Sequence, residues 1–154
     1  MKEETPMKKD NYKDMAVLAF FRYANRGMPT HEQYEAFLRG KVKKEHIGED
    51  PKFISVCEEK EIERHRPVFE DIDAIARMFA TLEEKRQSFI SEAVRAVYLV
   101  PGEKIPSNRD LYFRVVAHAV NAYADISTVY RWLKKARDLY VLFRGFEIDK
   151  LELD

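Results

Sequence analysis

The sequence predicts an all-α protein, a compact bundle of five to seven helices. Glycine and proline are scarce, at 5 and 6 of 154 residues, so the many tight turns of a β-rich chain are absent. The long segments between them are rich in Ala, Leu, Glu, Lys and Arg, and their apolar residues recur at helical spacing. A hydrophobic fraction of 45% over this length can build a buried core, which excludes a disordered chain.

Charge and cysteine content narrow the classes of function. Lys and Arg total 27, and so do Asp and Glu, so the net charge is zero and any nucleic-acid contact must depend on local charge. The single cysteine, Cys57, excludes an internal disulfide framework and fits a reducing compartment. Residues 1–10 lack the apolar core of a secretory signal and are predicted to be a flexible tail. With no apolar run long enough to span a bilayer, we predict a cytoplasmic protein without a membrane partner.

Residues 11–100 are predicted to form an N-terminal helical region. The segments predicted as helical are 11–26, 30–40, 68–81 and 82–99. Gly27 and Gly40 are expected to end the first two helices, and Thr30 begins the second as part of a capping box. A polar connector is predicted over 41–52. The charge-dense stretch 53–66 is predicted to be a solvent-facing helix or an ordered linker.

Residues 101–154 contain two amphipathic segments separated by a short turn. Ser107 and Asp110 form a capping box that begins a helix over 109–123. The residues predicted to face inward on it are Leu111, Tyr112, Val115, Val116, Ala119, Ala122 and Tyr123. Ser127 is the predicted N-cap of the next helix. The residues predicted to face inward on that helix are Val129, Trp132, Leu133, Ala136, Leu139, Tyr140 and Phe143.

The spacing of this pair fits a helix-turn-helix. Ala119 precedes Val129 by ten positions, and a small residue is needed there because the two helices cross closely. Trp132 follows Val129 by three positions and completes the predicted motif core. Many such motifs have glycine at the turn, where this chain has Tyr123 and Ala124. Either the turn is built differently or the motif is absent.

Local charge supports a DNA-contacting surface on this pair. Residues 107–145 contain seven Lys or Arg and three Asp, a net charge of +4. The residues predicted to contact DNA are Ser127, Thr128, Tyr130, Arg131, Lys134, Lys135, Arg114 and His118. The alternative is a solvated helix face, since basic residues late in a helix also complement its dipole.

The segment 127–137, STVYRWLKKAR, resembles the recognition-helix end of sigma-factor region-four-like proteins. It is similar to small transcriptional regulators of phages and mobile elements, of the ArpU and RinA type, over about the last 40 residues. The resemblance implies an N-terminal helical part, a C-terminal helix-turn-helix, binding to double-stranded promoter or operator DNA, and contact with RNA polymerase.

No residue pattern predicts catalysis, a metal site or a cofactor. The four histidines, His31, His46, His65 and His118, have no metal-ligand spacing, and the chain has no phosphate loop or nucleophile motif. The alternative function is a protein-interaction or assembly module without nucleic-acid binding, including a homodimer. It is suggested by Val141 and Leu142, which lie off the predicted core arc and need covering. The tail 146–153 alternates apolar and polar residues and is predicted to be extended.

Overall fold

The structure, a computed structural model, describes residues 9–146, with side chains from Tyr12 onward. The helices are α1 (Lys9–Asn25), α2 (His31–Glu45), α3 (Pro51–Arg64), α4 (Arg66–Glu84), α5 (Ser88–Val97), α6 (Asn108–Ala122) and α7 (Ile126–Arg144). No strand occurs within residues 9–146, which confirms the all-α bundle. None of these seven helices combines the length and apolar character needed to cross a membrane. The predicted extended tail begins at Phe146 and otherwise lies outside the described residues, as does most of the tail predicted over 1–10.

The main core joins the two halves of the chain. Helix α7 packs against α1, α4, α5 and α6, so residues from both predicted regions share one buried cluster. Phe20 of α1 is fully buried and contacts two rings, those of Tyr98 and Tyr140, each at 5.4 Å between centroids. The apolar run around Phe20 therefore forms a helix buried on most sides.

Helices α2 and α3 form a hairpin that lies over α4. Tyr34 and Leu38 of α2 pack against Phe69 and Ile72 of α4 in a second, smaller cluster. The charge-dense stretch after residue 53 is helical, yet not fully solvent-facing, because Glu58 is buried and its Oε1 accepts a 3.0 Å hydrogen bond from an Arg39 nitrogen. This pairing offsets the cost of burying the Glu58 carboxylate.

Gly40 does not end α2, contrary to the sequence prediction. The helix continues to Glu45 because Leu38 and Val42 are both buried on its inner face. Burying such a side chain stabilises by roughly 1.5–3 kcal/mol, more than the roughly 1 kcal/mol that glycine costs inside a helix. The predicted connector over 41–52 therefore shrinks to 46–50, and α3 begins directly at Pro51.

Replacing Gly40 by alanine is expected to stabilise the protein by about 0.5–1 kcal/mol. A Cβ built at this helical position meets no atom within 4 Å, so the gain in helix propensity carries no steric penalty. Thermal or urea unfolding measures it. Gly27→Ala is the matched control, because Gly27 has a φ of +82° and the new side chain there is destabilising. A Gly40→Ala protein less stable than the parent would contradict the prediction.

Four helices end in the same pair of backbone hydrogen bonds. In each, the N–H of a residue in the left-handed conformation donates to the carbonyl three residues earlier. The N–H of the next residue donates to the carbonyl five residues earlier, which completes the Schellman arrangement. The left-handed residues are Gly27, Arg86, Tyr123 and Gly145. Glycine occupies two of these positions as expected, whereas Arg86 and Tyr123 adopt a conformation that L side chains disfavour. The turn at Arg86 also places the α4–α5 break after Glu84, not at the predicted boundary between 81 and 82.

A polar network fixes the C-terminal half of α7 to α4. The Asp71 carboxylate accepts hydrogen bonds from the Tyr140 hydroxyl at 2.6 Å and from Arg144 Nε at 2.7 Å. Burial and the bond to Asp71 raise the pKa of Tyr140. On the same part of α7, Val141 is buried in the main core and needs no second chain to cover it, whereas Leu142 is 43% exposed.

Candidate nucleic-acid interface

Helices α5, α6 and α7 pack on one another as a three-helix unit. The predicted capping box at the start of α6 is confirmed: Ser107 Oγ accepts from the Asp110 N–H at 3.1 Å, and an Asp110 oxygen accepts from the Ser107 N–H at 3.0 Å. These bonds favour the charged form and lower the pKa of Asp110. Hydrogen bonds between neighbouring residues therefore determine where α6 begins.

Two helices with a short turn between them are present where the sequence predicted them. Helix α6 ends at Ala122 and α7 begins at Ile126. Ala119 and Val129 are both buried in the main core. Trp132 is half-buried, with its ring edge-on to Phe89 of α5 at 5.0 Å between centroids. This contact places α7 against the start of α5.

The turn uses a tyrosine where glycine was expected. Tyr123 has a φ of +53°, the N–H of Ala124 donates to the Ala119 carbonyl at 3.0 Å, and the Tyr123 side chain is 99% exposed. The turn is thus built without glycine. Ser127 was wrongly predicted as the N-cap, because Asp125 occupies that position and its carbonyl accepts from the N–H groups of Thr128 and Val129.

Replacing Tyr123 by glycine is expected to stabilise the folded chain by about 0.5–1 kcal/mol, since relief of left-handed strain exceeds the added flexibility of the unfolded chain. The side chain is fully exposed and contributes no burial. Arg86→Gly, at the equivalent position of another Schellman turn, should show a gain of similar size. Urea unfolding at low protein concentration measures both. A loss of stability in Tyr123→Gly would show that the tyrosine ring supports the turn.

Six of the eight residues predicted to contact DNA lie on the first three turns of α7, and we call them the recognition face. They are Ser127, Thr128, Tyr130, Arg131, Lys134 and Lys135. Ser127, Tyr130 and Arg131 are exposed, and the other three are half-buried. Arg131 donates to Thr128 Oγ1 at 3.0 Å, and Lys134 pairs with Asp138 at 3.4 Å. Arg131, Lys134 and Lys135 lie within about one helical turn of each other because all three belong to α7.

The remaining two predicted residues belong to α6 and are placed differently. Arg114 donates to the Val97 carbonyl at 3.0 Å and so caps the end of α5. His118, one turn further along α6, is half-buried. Arg137 is likewise engaged inside the unit, donating to the Tyr98 hydroxyl at 2.7 Å. Burial raises the pKa of Tyr98, and the Arg137 charge opposes that rise.

An open cleft of about 640 Å³ adjoins the recognition face. Arg131, Lys134 and Lys135 line one side, and Gln87 and Phe89 line the other. The Gln87 Oε1 is buried and has no hydrogen-bond partner within the described part of the chain. Sequence reasoning missed Gln87 and Phe89, because they precede or begin α5 and reach α7 only through tertiary packing.

Over residues 9–146, no three His, Cys, Asp or Glu side chains are grouped so that they could hold a metal ion. The chain matches no protein-family model, no curated protein and no solved structure. The geometry of the recognition face is therefore the basis for a functional argument.

Proposed function

We propose that this protein is a DNA-binding transcriptional regulator that contacts double-stranded DNA through the recognition face. The observation that supports the proposal is the position of Arg131, Lys134 and Lys135 on one side of α7, at the surface of a three-helix unit. An α-helix fits the major groove, where side chains of its first turns reach base edges and phosphates. Contact with RNA polymerase and an origin in a phage or mobile element are part of the proposal and depend on the resemblance of segment 127–137.

The chemistry of the recognition face suits both kinds of DNA contact. The guanidinium of Arg131 can bind a phosphate or the O6 and N7 atoms of guanine, and the lysines attract phosphates. Tyr130 and Ser127 are exposed beside these cations and supply hydroxyl groups. Residues 126–137 contain no Asp or Glu, so the face is cationic although the whole chain is neutral and Asp138, just beyond it, pairs with Lys134.

Binding to a mixed-sequence duplex at two salt concentrations tests the proposal. Three to four phosphate contacts give a logarithmic salt slope of about −3, so affinity should fall roughly 60-fold between about 50 and 200 mM salt. Arg131→Ala combined with Lys135→Ala should weaken binding at low salt and make the slope shallower by about 2. The matched control is Lys43→Ala combined with Lys44→Ala, two exposed cations at the end of α2.

The control pair should leave affinity and salt slope unchanged within about twofold, because non-specific long-range attraction falls off within a Debye length of about 10 Å. Equal losses in the two double variants would mean that binding follows net charge alone and would contradict a role for the recognition face. Absence of binding at low salt would contradict DNA binding altogether.

A further inference from the structure

The apolar surface of α6 is wider than the part of it that the other helices cover. Leu111, Val115 and Ala119 face the core, as predicted. The predicted inward positions of Tyr112, Ala122 and Tyr123 are wrong, because all three are exposed. Phe113 and Val120 are exposed as well, at 58% and 70%. The apolar arc is wider than the surface that α5 and α7 bury.

Exposed and half-buried apolar residues form a row along the outer side of α6 and one residue past its end. The row consists of Phe113, the half-buried Val116, Val120 and Tyr123, the residue that follows the last residue of α6, and we call it the α6 stripe. Its spacing of three, four and three residues is that of the seam along which two helices pair. The row reads the same in both directions by residue class, aromatic, valine, valine, aromatic. A two-fold axis near its centre therefore places Phe113 opposite Tyr123 of a second copy and Val116 opposite Val120.

Tyr123 ends the row in the left-handed residue that follows α6. The Tyr123 side chain is 99% exposed, so within residues 9–146 it buries almost no surface that could offset the strain of the left-handed backbone. Gly27, Gly145 and the exposed Arg86 occupy the same position of the same turn elsewhere, so a left-handed residue alone does not mark an interface. Tyr123 differs from Arg86 in carrying an almost fully exposed aromatic ring at the end of the row, where a second copy can cover it.

We propose that the α6 stripe is the interface of a homodimer in which two α6 helices pair antiparallel. Phe113, Val120 and Tyr123 of the stripe and the neighbouring Tyr112 together expose roughly 550 Å² per copy, over half of the about 800 Å² that each partner of a standard interface buries. An interface at the low end of the specific size range is expected to be weak, with a dissociation constant on the order of 10 μM. The dimer is independent of DNA binding, so each proposal can fail alone.

Charge near the stripe favours the antiparallel arrangement. Arg109, the cation at the start of the row, lies over the ring of its own Phe113 at 5.6 Å. In an antiparallel pair it lies beside the C-terminal end of the partner's α6, where the helix dipole is negative, and near that copy's Asp125. In a parallel pair the two arginines would lie side by side and repel.

Sedimentation velocity over a concentration series tests the dimer. The parent protein should pass from monomer to dimer between about 1 and 100 μM, and Phe113→Glu should weaken association by roughly 30-fold or more. Phe37→Glu is the matched control, since Phe37 is equally large, 63% exposed and lies on α2. A parent that stays monomeric at the highest concentration would overturn the proposal. So would equal weakening by both substitutions, because it would place association elsewhere or make it non-specific.

Glycine variants at two left-handed positions distinguish the effect of backbone strain from that of a side-chain contact across the dimer. Tyr123→Gly and Arg86→Gly should both stabilise the monomer, but only Tyr123→Gly should weaken the dimer, by about tenfold. Thermal unfolding of each variant establishes that it is folded. Equal dimer affinity in the two variants would remove Tyr123 from the interface and overturn the proposed pairing.

Disulfide trapping tests whether the two α6 helices pair antiparallel. In a Cys57→Ser background, a mixture of Phe113→Cys and Tyr123→Cys proteins should form a crossed disulfide under mild oxidation. Either protein alone should not, because like positions are about 15 Å apart along an antiparallel pair, beyond the roughly 7 Å limit between bridged Cα atoms. Efficient trapping of Phe113→Cys with itself would overturn the antiparallel arrangement.

Discussion

Replacing Phe20 by alanine should destabilise the protein by about 3–5 kcal/mol, the cost of removing a buried phenyl ring and leaving a cavity. Phe20 is fully buried and its ring contacts Tyr98 of the α5 end and Tyr140 of α7. Its loss removes contacts from three helices at once, and one of them is the helix that carries the recognition face. Part of the expected loss depends on how far Tyr98 and Tyr140 can close the cavity.

Urea unfolding of the parent and Phe20→Ala measures this effect as a shift in midpoint at unchanged slope. Phe37→Ala is the control, because the same ring is removed from an exposed position and should cost less than about 0.5 kcal/mol. A loss in Phe20→Ala no larger than that in the control would contradict the central place of Phe20 in the core.

Replacing Asp71 by alanine should destabilise the protein by about 2–3 kcal/mol. The substitution leaves the Tyr140 hydroxyl and Arg144 Nε without their acceptor, while Glu70 still pairs with another Arg144 nitrogen at 2.6 Å. Breaking a fully buried ion pair costs about 3–5 kcal/mol, and the expected value is lower because the Asp71 side chain is 20% exposed and water can enter.

Asp73→Ala is the matched control for Asp71. It removes a carboxylate two residues away on α4 that pairs with His31 at 2.9 Å, with both side chains about half exposed. A surface pair of this kind is worth less than about 1 kcal/mol. Thermal unfolding at neutral pH compares the two variants. Equal losses would show that the Asp71 network contributes no more than a surface pair.

Local signals in the sequence predicted the helix starts that depend only on neighbouring residues. Both capping boxes, at Thr30 and at Ser107, are present, since each needs only a hydroxyl and a partner three residues later. The prediction that Gly40 ends α2 was wrong, because it used only the local preference of glycine and could not include the burial of Val42 two residues later. The stop at Gly27 was correct because the chain turns there with a positive φ.

The parts of the site that depend on tertiary packing could not be predicted. A helical wheel gives the apolar arc of α6 but not how much of it neighbouring helices cover, so Tyr112 and Tyr123 were placed inside. Arg114 was placed on a DNA-facing side, although it reaches the Val97 carbonyl of a different helix. The recognition face could be assembled from sequence because its members occupy one continuous helix.

The most direct test of the central claim is the amide chemical-shift change on adding a short duplex of about 20 base pairs at low salt, near 50 mM. We predict shifts concentrated at residues 126–135 of α7 and at the start of α5, with α2 and α3 unaffected. No shift, or shifts confined to α2 and α3, would contradict DNA binding by the recognition face.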